Sequence, residues 1–184
     1  RLQSEIDTLK PQVPGNGLPP VQAKDLPGIV VDNPDAKVSG RWSQSNGVTN
    51  HVGTEYLFSG TTGTKAVYPV TFPDDGRYMV RISIAQHANR APKAFVTVVH
   101  NAGSQYFRID QRKAPGSFNK ESSDGYFQSL GIFEFSAGLH DAVEISVKDG
   151  GGVVVADAVQ FLPVDNDNQV TTSPAAQVKK EISA

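Results

Sequence analysis

Apolar and polar residues alternate along much of the middle of the chain. From Gly76 to Ile84, in GRYMVRISI, Tyr78, Val80, Ile82 and Ile84 fall on one face and Arg77, Met79, Arg81 and Ser83 on the other, the period of two that marks a half-buried strand. Val143, Ile145 and Val147 alternate in the same way with Glu144, Ser146 and Lys148. Seven more stretches read as strands: Ile29–Asp32, Tyr56–Ser59, Lys65–Phe72, Ala94–Asn101, Gln105–Asp110, Phe127–Phe135 and Val153–Leu162. Turn chemistry such as Pro73-Asp74-Asp75-Gly76, Asn101-Ala102-Gly103 and Asp149-Gly150-Gly151-Gly152 separates them. About nine strands with no amphipathic helix between them predict an all-β fold, an antiparallel β-sandwich of jelly-roll, galactose-binding-like type.

The pattern changes at both ends. In residues 1–10 Leu2, Ile6 and Leu9 recur at helical spacing before Pro11, which predicts a short N-terminal helix. Pro11, Pro14, Pro19, Pro20 and Pro27 then crowd residues 11–28 together with Gly15, Gly17 and Gly28, so this stretch reads as a semi-extended linker. Periodicity disappears again over 165–184, a polar tail, and leaves residues 29–164 as the globular body. Its longest polar loop runs from Gln111 to Gly125; such loops on a rigid sandwich are common seats of binding.

Composition narrows the choices. With 38% hydrophobic residues in 184, the chain supports one ordinary core. The absence of cysteine removes disulfides, thiolate zinc sites and cysteine nucleophiles. A formal charge of −2 argues against nucleic acid as a general partner, and no apolar run reaches the ~18 residues of a membrane span. There is neither an initiator Met nor a basic start followed by an apolar stretch, as expected of a chain whose leader has been removed or of a piece of a longer polypeptide.

Few residues suggest chemistry. The closest pair of histidines among His51, His87, His100 and His140 is 13 residues apart, without the HxH or HExxH spacing of a zinc site. Neither a G-x-S-x-G elbow nor a phosphate-binding glycine loop is present. Glu55, Glu121, Asp124 and Glu134 are carboxylates that folding could bring together for glycoside hydrolysis, but no motif singles them out. No enzyme, metal site or cofactor is expected on this ground. Asp157 stands out because it is in phase with Val153, Val155, Val159 and Phe161. A carboxylate on an inward face needs donors or a cation, either as a hydrogen-bonded anchor for backbone N–H groups of the opening strand's loop or as a structural Ca2+ site shared with Asp32, Asn33 or Asp35.

Charge is also unevenly spread. Between His87 and Lys120 the basic residues Arg90, Lys93, Arg108, Arg112, Lys113 and Lys120 face Asp110 alone, a net +5, with Phe95, Tyr106, Phe107 and Phe118 interleaved. Arginines pair with carboxylate or sulfate while rings take pyranose faces, so such a surface suits an anionic glycan; ordinary solvated strand faces give the same pattern. Trp42, the single tryptophan, is either a core plug at a strand end or a stacking platform.

Several phrases taken in order, IVVDNPDAKVSGRW at 29–42, GTEYLFSG at 53–60, PDDGRYMVRIS at 73–83, HANRAPKAFVTVVH at 87–100, LGIFEFSAG at 130–138 and VVVADAVQF at 153–161, resemble the golvesin C-terminal-like, or xanthan-lyase-type carbohydrate-binding-like, domain. The resemblance covers 29–164. It implies a non-catalytic β-sandwich accessory domain of a larger exported bacterial protein, secreted, periplasmic or at the cell surface, that binds polysaccharide and tethers its parent to it. Asp32, Asn33, Gly40 and Trp42 match its opening motif, Asn89 and Arg90 the middle one and Asp157 the closing one; between Trp42 and the next strand, Ser45 to His51 departs from the aromatic and glycine character usual there. Trp42, Tyr56 and Tyr106 are the expected stacking residues and Arg90, Arg108 and Arg112 the expected anion contacts. The alternative is a module that packs against its parent protein or a partner without holding a glycan.

Overall fold

The computed structural model describes residues 17–116, 124–149 and 151–171. The helix expected over 1–10, the middle of the Gln111–Gly125 loop and all but the start of the tail lie outside the described residues. Twelve strands form among them: β1 (Ile29–Val31), β2 (Lys37–Ser39), β3 (Ser43–Ser45), β4 (Tyr56–Ser59), β5 (Lys65–Phe72), β6 (Gly76–Ser83), β7 (Ala94–His100), β8 (Gly103–Ile109), β9 (Phe127–Phe135), β10 (Gly138–Ser146), β11 (Val154–Ala156) and β12 (Val159–Pro163). They make a four-stranded sheet in the order β1-β12-β6-β9, a five-stranded sheet β2-β5-β10-β7-β8 and a short sheet β11-β4-β3. Every pairing between these strands is antiparallel, so the chain forms the expected antiparallel sandwich. The extra strands, β2 and β3, have three residues each and exposed or polar side chains, too short to print an alternation.

One core joins the two large sheets. Ala66, Tyr68, Val70 and Phe72 of β5, Val96 and Val98 of β7, and Val143 and Ile145 of β10 pack against Val80 and Ile82 of β6, Phe135 of β9 and Phe161 of β12. The ring of Phe72 lies 4.4 Å from Phe135 in a stacked pair and 5.2 Å from Phe161 edge-on, centroid to centroid, geometries that add to the burial of apolar area.

The segment expected as a single strand, Val153–Leu162, is two strands in different sheets. Val154 and Ala156 point into the main core, Val155 into a small cluster with Val48, Tyr56 and Ala85, and after the break Val159 and Phe161 return to the main core. The inward set thus moves from even to odd positions between Ala156 and Val159, a one-residue slip that would turn a continuous strand inside out. Asp157 occupies the slip and is fully buried. Its Oδ2 accepts the Val52 N–H at 3.0 Å and the Ser83 hydroxyl at 2.6 Å, Ser83 Oγ accepts the Ala158 N–H at 2.8 Å, and the Tyr68 hydroxyl donates to the Asp157 carbonyl at 2.8 Å. Side chains therefore satisfy backbone groups that no ladder reaches. The carboxylate is a hydrogen-bonded anchor, and its N–H partner belongs to Val52, not to the loop after β1. Among the described residues no three His, Asp or Glu side chains gather as metal ligands.

Other side chains act similarly. Gln111 donates from Nε2 to the Val155 carbonyl at 2.9 Å and accepts the Val155 N–H at 2.8 Å, so the first residue of the expected binding loop is a rung of the fold. The stretch expected as a linker is described from residue 17, and there it lies along the sandwich: Val21 donates to the His51 carbonyl and accepts the Gly53 N–H, and Tyr126 donates its hydroxyl proton to the Pro19 carbonyl. Asp32 is wedged against Gly53, whose φ of +73° and close approach to the carboxylate leave no room for a Cβ. Burial, with Asp35 and Glu55 adding repulsion against the lowering bond from the Asn33 N–H, pushes the Asp32 carboxyl up to about 6.

An aspartate whose folded pKa exceeds its unfolded value near 3.8 favours folding while protonated, and that advantage is lost as pH rises through about 6. His51, lowered by burial, acts with the opposite sign as pH falls. The difference between wild type and Asp32→Asn cancels the His51 contribution: in thermal melts the variant should match wild type near pH 4 and exceed it by ~3–6 °C at pH 7.5, on the order of 1–2 kcal/mol after solvent screening. Equal melting temperatures at pH 7.5 would contradict the burial of this charge. For Asp157, urea unfolding should show Asp157→Ala losing ~3 kcal/mol or more and Asp157→Asn, which keeps an acceptor for Val52 and Ser83, losing clearly less.

Candidate functional site

The strand registers decide which basic and aromatic residues meet. Phe95 lies opposite Arg108 on β8 and opposite Ser146 on β10, and one step along, Thr97 lies between Tyr106 and Glu144. Val96 and Val98 fill the core, so alternation turns Phe95, Thr97, Tyr106 and Arg108 to the outer face of the five-stranded sheet. Lys148, two residues past Ser146, reaches the same place.

There the Arg108 guanidinium carbon stands 5.2 Å and the Lys148 Nζ 5.3 Å from the centroid of the Phe95 ring. Phe95, Tyr106, Arg108 and Lys148, with Gln105 and Phe107 at the open edge, line a shallow depression of about 600 Å³. Tyr106 is 69% exposed. The ion pairs within 4.0 Å among the described residues are Lys37–Asp141, Lys65–Glu144, Arg81–Asp124 and Arg112–Asp110, which leaves Arg108 and Lys148 without an acidic neighbour at that distance. Glu144, the carboxylate nearest by register, is 3.5 Å from Lys65. An open aromatic ring beside two unbalanced cations is suited to a sugar face bearing a negative charge nearby.

Four other expected residues stand elsewhere. Tyr56 and Arg90 are 2% and 5% exposed and form an internal pair. Arg90 donates to the Ala85 carbonyl at 3.0 Å, to Asn89 Oδ1 at 3.0 Å and to the Tyr56 hydroxyl at 3.1 Å, and its guanidinium lies over the Tyr56 ring. That hydroxyl also accepts the Val48 N–H. Burial thus corrects the expectation for both: neither the ring nor the guanidinium is open to a polysaccharide. Trp42 packs on the margin of the core and donates Nε1–H to the Lys65 carbonyl at 3.0 Å, in the manner of a strand-end plug. Arg112 is on the surface but is clasped to Asp110 through two 2.8 Å bonds, which lower the Asp110 carboxyl and spend the charge locally. Of the six expected contacts, the fold brings Tyr106 and Arg108 together.

The carboxylates considered for hydrolysis that are among the described residues have different neighbours. Asp124 is bound to Arg81, whereas Glu134 pairs in register with Arg77, four residues or ~13 Å further along β6. Glu55 lies beside Asp32, and Glu121 is outside the described residues. In the sequence Lys148 is the one lysine or arginine within the acidic stretch 121–164. The one available signal was its alternation with Ser146, and its link to Phe95 depends on β10 pairing with β7.

Comparison with known proteins gives this geometry a setting. A family model described as the Golvesin C-terminal domain matches residues 29–163. A xanthan lyase of Bacillus sp. (strain GL1) is 33% identical over an alignment of 168 residues that covers 86% of this chain and 16% of the relative, so the chain spans about a sixth of that protein's length. Among solved structures, that of a Paenibacillus xanthan lyase superposes with a TM-score of 0.64 at 30% identity, covering 74% of this chain and 13% of that one. The Podospora anserina GH26-CBM35 β-(1,4)-mannanase shares the fold, with a TM-score of 0.54 at 14% identity over 74% of this chain and 28% of that one.

The two classes of arginine should separate experimentally. Arg90→Ala takes the buried guanidinium donor from the Ala85 carbonyl and the Tyr56 hydroxyl, which keeps the Val48 N–H, and should lower unfolding free energy by ~2–4 kcal/mol, while Arg108→Ala, exposed on an edge strand, should stay within about 0.5 kcal/mol of wild type. Chemical denaturation of both variants checks this, and equal losses would mean that the partition between buried and surface arginines is wrong.

Proposed function

This chain belongs to the Golvesin C-terminal domain family, and from that membership together with the β7–β8 surface we propose that it is a non-catalytic accessory module that holds an acidic polysaccharide. The observation that carries the reading is the meeting of an open tyrosine with two cations that have no acidic partner within ion-pair distance among the described residues. Tyr106 takes the face of one sugar, and Arg108 and Lys148 take the negative charge of a neighbouring unit. The polysaccharide named in the relative, xanthan, is acidic, which agrees in sign with this surface. Chains of that size do not cross a membrane, so the module works outside the cell, in the periplasm or on the surface. There it tethers the longer protein of which it forms part, and the high local concentration of sugar units along one polymer makes weak individual contacts sufficient.

Affinity electrophoresis of the full 184-residue chain through gels containing xanthan, neutral mannan or neutral dextran tests the reading. Retardation should be strongest in xanthan and should weaken as salt rises from 50 to 300 mM, and Tyr106→Ala and Arg108→Ala should each weaken it about tenfold, ~1.4 kcal/mol. No retardation in xanthan at 50 mM salt would overturn the proposal in favour of a module that packs against its parent protein.

A further inference from the structure

Resting on that reading, we infer that Phe95 is the positioning residue of the surface: its ring holds the heads of Arg108 and Lys148 close to itself, so that both cations act on the acidic unit of the polysaccharide while the adjoining sugar lies on Tyr106. The two cations reach the ring from different elements. Arg108 comes from β8 on one side of β7, and Lys148 from the chain just beyond β10 on the other; Phe95, on the strand between, is the residue their heads have in common. Ser146, the small residue beside Phe95 on β10, leaves the space through which Lys148 leans inward. Long basic side chains on an exposed sheet ordinarily sample many rotamers. Here the negative face of the ring selects those that bring both heads to it.

This arrangement places two like charges inside roughly the ~10 Å Debye length of 0.1 M salt. Among the described residues no carboxylate lies within 4.0 Å of either cation, Glu144 being paired with Lys65 and Asp110 with Arg112. An anion bound beside the pair offsets the repulsion and gains charge-assisted bonding. With two cations over it, the Phe95 ring is covered and is not itself a sugar platform; the open ring is Tyr106. Two residues of strand, ~7 Å, separate the α-carbons of Tyr106 and Arg108, so the surface reads an acidic unit next to a second sugar along the same chain.

The test compares Phe95→Leu and Phe95→Tyr with wild type, each as the full chain, on xanthan and on carboxyl-reduced xanthan. Phe95→Leu should bind xanthan about tenfold more weakly with an unchanged slope of log Kd against log salt, because both charges remain, and should bind the reduced polymer as wild type does. Phe95→Tyr, which keeps the ring, should bind within twofold of wild type. Xanthan binding by Phe95→Leu within twofold of wild type would overturn the inference, as would an equal loss in Phe95→Tyr or an equal loss on the reduced polymer. A second readout needs no glycan: the Arg108 Nε–H proton resonance should carry an upfield ring-current shift that Phe95→Leu abolishes and Phe95→Tyr retains. Wild type that does not bind xanthan would defeat the functional reading of the preceding section, whereas this resonance decides by itself whether the ring positions the cation.

Discussion

The fold depends on how the chain crosses from one sheet to another between Ala156 and Val159. β11 belongs to the short sheet and β12 to the four-stranded one, and at the crossing the backbone leaves both ladders while fully buried. Unpaired amides and carbonyls in such a place are costly. The Asp157 carboxylate, the Ser83 hydroxyl and the Tyr68 hydroxyl supply the missing partners. In doing so they tie β12 to β6, to β5 and to the loop that carries Val52, so three parts of the sandwich are fixed by one residue and its partners. The same burial that makes the cluster effective keeps the Asp157 carboxyl well above the usual carboxylate range.

Around that junction the two faces of the five-stranded sheet divide the work. Its inner face is aliphatic and aromatic and closes the core against β6, β9 and β12. Its outer face carries charged, hydroxyl and aromatic residues, and near β8 the cations outnumber the carboxylates. The charge of the whole chain, −2, hides this because the acidic residues lie elsewhere: Asp124 on Arg81, Asp141 on Lys37 and Glu144 on Lys65. An anionic ligand meets the local field and not the average one.

Parts of this picture were legible in the sequence for definite reasons. Strands of seven to nine residues, β5 to β9, and the second half of β10 were read directly from pattern and turn residues, whereas Gly138–Ala142 of β10 was missed, with a register shift between Asp141 and Val143 separating it from the alternating part. β2 and β3 were not legible because three exposed residues carry no period. The break in Val153–Leu162 was hidden because every residue from Val154 to Leu162 is buried, so Asp157 and Gln160 are the only polar residues in the run and no exposed position marks the slip. That Tyr106 and Arg108 share a face was legible because they are two residues apart on one strand. Tyr56 and Arg90 look equally suited to a ligand in a list of residue types, yet they serve the interior.

The sequence by itself determined the class of fold, the need for a buried carboxylate to find partners, and the concentration of positive charge and aromatic rings in one region of the chain, since each of these follows from spacing along a strand. The tertiary structure alone decided which cations remained free. Arg90 was drawn inside by Tyr56, Arg112 was neutralised by Asp110, and Lys148 was brought from a distant acidic segment to the ring of Phe95. Pairing between β10, β7 and β8 sets those neighbours, and the strength of an electrostatic contact depends on distance through space and on exposure to water, quantities that separation along the chain does not contain.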